Sequence, residues 1–260
     1  VGSEMCIRDR SRGDVRAILY GIGVLGSIDM EYMWTKIVDI AKRNNVVPGG
    51  DTDCAQANTA MFLAGGLTSK NVSHTIAAVA RAIAGARSLV AIECGAQGPT
   101  KDCGYENPIV KAIASVPICA EGKNATCAHS DLMGNLTAAV CDVWSNESVY
   151  NREEMGGPTP GVWLQSLGYE CALMNTATQI GTNKQLRDTY VLADKYRDPQ
   201  GVILAYDNAY KIGEAITAEG EDIYLRSRAA AIRAMELINE AVDEKRILLT
   251  RFERDTLDST

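Results

Sequence analysis

From Ala17 to Leu25 the chain is apolar enough for a buried strand, and from Asp29 to Arg43 apolar residues recur at helical spacing (Met30, Met33, Trp34, Ile37, Val38, Ile40, Ala41). The pattern predicts a strand followed by a helix. Val46 and Val47 predict a short second strand ending in Pro48-Gly49-Gly50, and Asp51 or Thr52 can cap a helix running to about Leu63, closed by Gly65-Gly66. Asn71 is placed to cap a long helix with Ile76, Val79, Ala80 and Ile83 on one face, and Ser88 to Cys94 reads as a third strand. Ile109 to Ala114 is helical, Val116 to Ala120 a fourth strand, and Leu132 to Trp144 a further helix. Beyond Pro160 only helical periodicities remain, at Trp163 to Ile180, Lys184 to Ala193, Ile203 to Ile216 and Tyr224 to Val242.

Strands alternating with helices imply a parallel sheet. About four strands are visible where a closed barrel needs eight. The expectation is an α/β fold of the TIM (β/α)8 barrel type, incomplete at the N-terminus, with an added C-terminal helical segment. Val1 to Arg10 has neither periodicity, and Glu4-Met5-Cys6-Ile7-Arg8-Asp9-Arg10 looks like translated sequencing adapter. The chain therefore divides into a non-native segment at 1–10, the C-terminal part of a βα barrel at 11–160, and a helical segment at 161–260 packed on it. No internal repeat or low-complexity tract interrupts this division.

Composition narrows the function. With 46% hydrophobic and 23% charged residues, a chain of 260 residues can bury a sizeable core. A net charge of −7 disfavours nucleic acid as a partner. No apolar run approaches the roughly 18 residues of a membrane span, and the N-terminus lacks a signal-peptide core, so the expected location is the cytoplasm. In that compartment the eight cysteines are reduced, none forms a CxxC pair, and the Asn-x-Ser/Thr sequons at Asn71, Asn124, Asn135 and Asn146 carry no glycan.

Three groupings could carry chemistry. Gly21-Ile22-Gly23-Val24-Leu25-Gly26 spells GxGxxG between a predicted strand and helix, which reads either as a pyrophosphate cradle or as glycines easing a turn. The acidic residue a dinucleotide site needs would have to be Asp51 or Asp53, beyond an inserted Pro-Gly-Gly, which favours the turn. Gly49-Gly50-Asp51-Thr52-Asp53-Cys54 places a thiol in the first turn of a predicted helix at a strand's carboxyl end, and Gly98-Pro99-Thr100-Lys101-Asp102-Cys103 repeats the arrangement. Helix N-termini favour thiolates, so the two cysteines read as ligands of one zinc ion or as small buried hydrophobes. Cys127-Ala128-His129 lies in the next loop, and His129 reads as a hydrogen-bonding neighbour of the site rather than a ligand. Cys94, Cys119, Cys141 and Cys171 are explained by packing.

Taken together, Gly49 to Cys54, Glu93 to Glu106, Glu121-Gly122-Lys123 through Cys127-Ala128-His129, and Trp144-Ser145-Asn146-Glu147 resemble the methanol:corrinoid methyltransferases. The likeness covers most of the chain after Arg16, including the helical tail. It implies a TIM barrel with added helices and a catalytic Zn2+ held by two cysteines and one glutamate. It also implies a partner corrinoid protein docked over the barrel mouth, hence a hetero-oligomer, with methanol as substrate and the corrinoid supplied by that partner. The family's two cysteine ligands match Cys54 and Cys103. Its glutamate falls at or before the adapter-like segment, so that role passes to no residue of this sequence, and the chain as written is expected to bind zinc weakly or to be inactive. Asp51, Asp53, Lys101 and Asp102 join His129 as candidates to support the ligands. Other readings remain: a corrinoid-linked enzyme for another small methyl donor, a catalytically silent subunit that binds the corrinoid protein, and last a nicotinamide enzyme.

Overall fold

The longest apolar stretch of the chain forms one helix, His74–Glu93, where the sequence pattern suggests a helix and then a strand over Ser88 to Cys94. The computed structural model describes residues 14–50, 52, 73–101, 106–120, 123, 133–144 and 160–260. Helices α1 (Val15–Tyr20) and α2 (Gly26–Asn44) are joined by a π-helical turn at Gly21–Leu25; α3 is His74–Glu93. Strand β1 (Thr100–Lys101), α4 (Asn107–Ala114), β2 (Ile118–Ala120), α5 (Gly134–Val140) and β3 (Val143–Trp144) follow. Six helices complete the chain: α6 (Pro160–Gln179), α7 (Asn183–Asp194), α8 (Pro199–Leu204), α9 (Tyr206–Ala218), α10 (Ile223–Asp243) and α11 (Arg251–Ser259).

Helix α3 is the core. Helices α2, α4, α8, α10 and α11 all pack on it, and it is buried on every side from Thr75 to Ala91. That burial explains why its pattern misleads: an all-round apolar helix has no polar face to set a 3.6-residue period, so its second half reads as a buried strand. Gly85, in the middle, is where α4 comes closest, since a Cβ there would stand 2.7 Å from Ile109 Cγ2. By length and composition α3 could also cross a membrane, contrary to the expectation that no run approaches a span, but 94% of its apolar window is buried inside the protein. Its start is closed by Ser73, whose Oγ accepts the Ile76 N–H at 3.1 Å, and by Glu253 of α11. That carboxylate accepts the N–H groups of His74 (2.8 Å) and Thr75 (2.9 Å) and the Thr75 hydroxyl (2.6 Å).

Ala17 to Leu25 is helical rather than extended, for the same reason. Leu19, Ile22, Gly21 and Gly23 turn one face of the continuous α1–α2 rod onto α3 and α10. The glycines of GxGxxG permit that approach: a Cβ on Gly23 would meet Ser227 Oγ at 2.5 Å and Ile83 Cγ2 at 2.8 Å. The Gly26 N–H donates back to the Gly21 carbonyl, so this stretch is neither a phosphate-cradling loop nor a strand-to-helix turn. Val46 and Val47 are 60% and 65% exposed and belong to no strand. The sequence Leu132 to Trp144 is a short helix and then β3, because the chain turns extended at Cys141 and the Asp142 N–H pairs with the Ile118 carbonyl. Ile203 to Ile216 is two helices, broken at Ala205, whose ψ of 136° ends α8. The remaining tail helices match their predicted positions, and α11 is additional.

The sheet is parallel in the order β1-β2-β3, with Thr100 opposite Ile118, Lys101 opposite Cys119, Cys119 opposite Val143 and Ala120 opposite Trp144. Each strand is joined to the next by a helix, which makes two successive βαβ units. Cys119 is buried, and Cys94, Cys141 and Cys171 are partly exposed.

Candidate functional site

The strands run in one direction, so the segments that leave their carboxyl ends emerge along one edge of the sheet. A further extended segment pairs with the residues that lead into β1. The Pro48 carbonyl accepts the Gln97 N–H at 2.9 Å, and the Gly50 N–H donates to the Pro99 carbonyl at 3.1 Å, in parallel sense. Gly49 is required here because a Cβ would lie 2.9 Å from the Gly98 carbonyl oxygen. The strand predicted at Val46 and Val47 does not form, and only the two bonds of Pro48 and Gly50 stand in its place; the strand predicted at Ser88 to Cys94 is helix, and β1 follows it.

Where these segments end, the sequence candidates begin. Lys101 closes β1. Asp51, Asp53, Cys54, Asp102, Cys103 and His129 lie outside the described residues. Among the described residues no group of three His, Cys, Asp or Glu side chains is arranged to hold a metal ion. What the structure does bring together is the flanks of the two cysteine segments. Thr52 Oγ1 donates to Glu106 Oε1 at 3.4 Å, and both residues are fully buried. Ser88 Oγ of α3 donates to the same oxygen at 2.9 Å. A carboxyl taken wholly out of water is tolerated only with such partners. The Thr52–Glu106 contact fixes points two residues before Cys54 and three residues after Cys103.

Sequence reasoning missed Glu106 and Ser88. Ser88 sits in an apolar run and Glu106 just ahead of Pro108, a position that reads as an ordinary helix start. The polar interruption of an otherwise apolar α3 was the available signal.

A second group of polar contacts borders the exit from β2. Glu170 of α6 accepts the Lys123 N–H at 2.8 Å, while the Lys123 ammonium lies 4.6 Å above the Tyr190 ring and 3.4 Å from its hydroxyl. Burial raises the Glu170 carboxyl above the ordinary glutamate value, partly offset by the N–H and charge of Lys123. Asp194 of α7 accepts the Leu136 N–H at 2.8 Å and the Asn135 amide at 3.2 Å, capping the start of α5. It too is raised by burial and held down by those two donors. Cys171 is raised by burial and then by the charge of Glu170, so it stays a thiol at neutral pH.

Parallel strands joined by helices define an α/β scaffold. Comparison with known proteins makes this specific. The family model described as methanol-cobalamin methyltransferase B subunit matches residues 2–260, and the chain belongs to that family. The methanol–corrinoid protein co-methyltransferase of Methanosarcina barkeri (strain Fusaro / DSM 804) is 56% identical over 246 residues, covering 95% of this chain and 53% of that protein. The crystal structure of the methanol:cobalamin methyltransferase complex MtaBC from Methanosarcina barkeri superposes with a TM-score of 0.88 at 54% identity, covering 99% of this chain and 56% of that one. The chain therefore spans about half the length of the relatives it matches.

Proposed function

We propose that the chain takes part in transfer of the methyl group of methanol to the cobalt of a corrinoid carried by a partner protein, and that its sheet is a section of a (β/α)8-type barrel. Family membership supports the reaction, and the crystallised relative is itself a methyltransferase complex. One observation carries the site: the Thr52–Glu106 contact, at 3.4 Å, ties the segment that bears Cys54 to the segment that bears Cys103. Two residues of chain reach at most about 7 Å and three about 11 Å, a span that allows both sulfurs to reach a common point.

Two thiols arriving from neighbouring parallel segments are a donor set that suits zinc. Cys54 and Cys103 would hold it. Zinc bound there supplies Lewis acidity toward the alcohol oxygen, which matters because hydroxide is a poor leaving group from carbon near neutral pH. The chain's own residues do the rest by placement. Gly49 lets two backbones touch, and Ser88 and Thr52 both donate to Oε1 of the buried Glu106. Asp51, Asp53, Lys101 and Asp102, close to the two cysteines in sequence, and His129 in the next loop are the candidates to support the ligands.

The test is methyl transfer from methanol to cob(I)alamin, followed by the spectral change at cobalt, for the zinc-supplemented chain and for Cys54→Ala and Cys103→Ala. Because the sequence offers no glutamate as third ligand, the reading expects weak zinc binding and slow transfer in the parent chain, and loss of both in each variant. Transfer that survives both substitutions would overturn the site, and transfer from another methyl donor in preference to methanol would overturn the substrate.

A further inference from the structure

The two carboxylates at the exit from β2 have a relation that the methyl-transfer reading does not use. Glu170 and Asp194 belong to consecutive helices, α6 and α7, that pack on each other. One accepts the N–H of Lys123, three residues past the last residue of β2; the other accepts the N–H of Leu136, in the first turn of α5. The helical pair thus holds the main chain at both ends of the β2-to-α5 connection. A third contact strengthens the first grip, because the Lys123 ammonium is seated on the Tyr190 ring of α7. Main-chain amides bonded to carboxylates are charge-assisted and short, which fixes backbone position more firmly than packing alone.

Elsewhere α6 is lightly held. Of its side chains from Gln165 to Gln179, only Leu167 and Ala177 are buried, and Tyr169, beside Glu170, is 75% exposed. A helix presenting so much surface and so few core contacts contributes little to the hydrophobic core. Its half-buried polar contact is the hydrogen bond from the Lys123 N–H to Glu170.

We propose that Glu170 and Asp194 are positioning residues: the α6–α7 pair clamps the main chain at Lys123 and at the start of α5, and through those two points sets the geometry in which substrate is bound. The clamp itself rests on the described contacts, and its effect on substrate rests on the methyl-transfer reading above. Glu170 is the sharper probe, since it is only half-buried and its removal spares the core, whereas Asp194→Ala uncaps a buried helix start.

The experiment compares the full chain with Glu170→Ala, which deletes the acceptor, and Glu170→Gln, which keeps a carbonyl oxygen for the Lys123 N–H. Hydrogen–deuterium exchange at the Lys123 amide is read by fragmentation mass spectrometry, with thermal stability measured alongside. The clamp predicts that Glu170→Ala speeds exchange at Lys123 by about tenfold, the weight of one charge-assisted hydrogen bond, while Glu170→Gln stays within about threefold. Exchange unchanged in Glu170→Ala, or equally fast in both variants, overturns the clamp. In the methyl-transfer assay Glu170→Ala should raise the KM for methanol about fivefold with kcat within about twofold, and Glu170→Gln should restore it. Equal loss in both variants, or a KM that does not move, overturns the positioning role. If the parent chain transfers no methyl group, the functional reading above fails and the exchange result still decides the clamp.

Discussion

Replacing Glu106 by alanine tests how the two cysteine segments are held. The side chain is fully buried and its Oε1 accepts hydroxyls from Ser88 at 2.9 Å and Thr52 at 3.4 Å. Deleting it leaves two buried hydroxyls without their acceptor, each costing about 1–3 kcal/mol, with the longer Thr52 contact at the low end. The same change removes a carboxyl that was costly to desolvate, which brings the net loss to about 2–3 kcal/mol. For a chain of this size that corresponds to a fall in Tm of about 5–10 °C. Urea unfolding of the parent, Glu106→Ala, Glu106→Gln and the exposed control Glu221→Ala gives the differences from the midpoints. Glu106→Gln, which retains an acceptor, should lose about half as much. A Ser88→Ala/Glu106→Gln cycle should show a coupling of about 1 kcal/mol. If Glu106→Ala is no more destabilised than Glu221→Ala, the buried contact does not hold the segments and the argument built on it fails.

Gly23→Ala should destabilise the chain by about 1–3 kcal/mol, because its Cβ would overlap Ser227 and Ile83, whereas Gly168→Ala, with open space around it in α6, should stabilise by about 0.5–1 kcal/mol; thermal denaturation separates the two. Asp198 caps α8, lies 3.7 Å from His74, and is pushed by burial to about 6. A carboxyl whose folded value exceeds its unfolded one gains stability as pH falls through about 6, levelling off near 3.8, so lowering the pH from 7 to 4 should add at most about 3 kcal/mol from this group, and Asp198→Asn should flatten that part of the profile. Equal pH profiles for the two proteins would contradict the assignment. Arg226, buried, donates both guanidinium arms to Glu93 at 2.8 and 2.7 Å, so Arg226→Lys, which loses the fork, should cost about 1–2 kcal/mol in urea unfolding.

The sequence was most legible where a helix has one wet face. Gly26–Asn44 buries Met30, Trp34 and Val38 and exposes Tyr32 and Ile40, each next to one acidic residue, and its predicted position over Asp29 to Arg43 holds. The same is true of Asn107–Ala114 and of most of the tail. Legibility failed where burial is complete, in α3 and in the α1–α2 rod, because an apolar run surrounded by protein carries no period to separate helix from strand. It failed also in the sheet, whose strands are two or three residues long and are defined by pairing across the fold rather than by their own alternation. The site shows the same division. Cysteines in repeated strand-exit contexts were visible as types, whereas the acceptor that ties their segments together, Glu106, became visible only when α3 and α4 were packed.

The central claim is that sulfurs from two different strand exits share one metal ion. X-ray absorption at the zinc edge of the zinc-loaded chain tests it most directly. The account predicts two sulfur scatterers at about 2.3 Å, falling to one in either Cys54→Ala or Cys103→Ala. A first shell of nitrogen and oxygen alone, or a sulfur count that neither substitution changes, would contradict it.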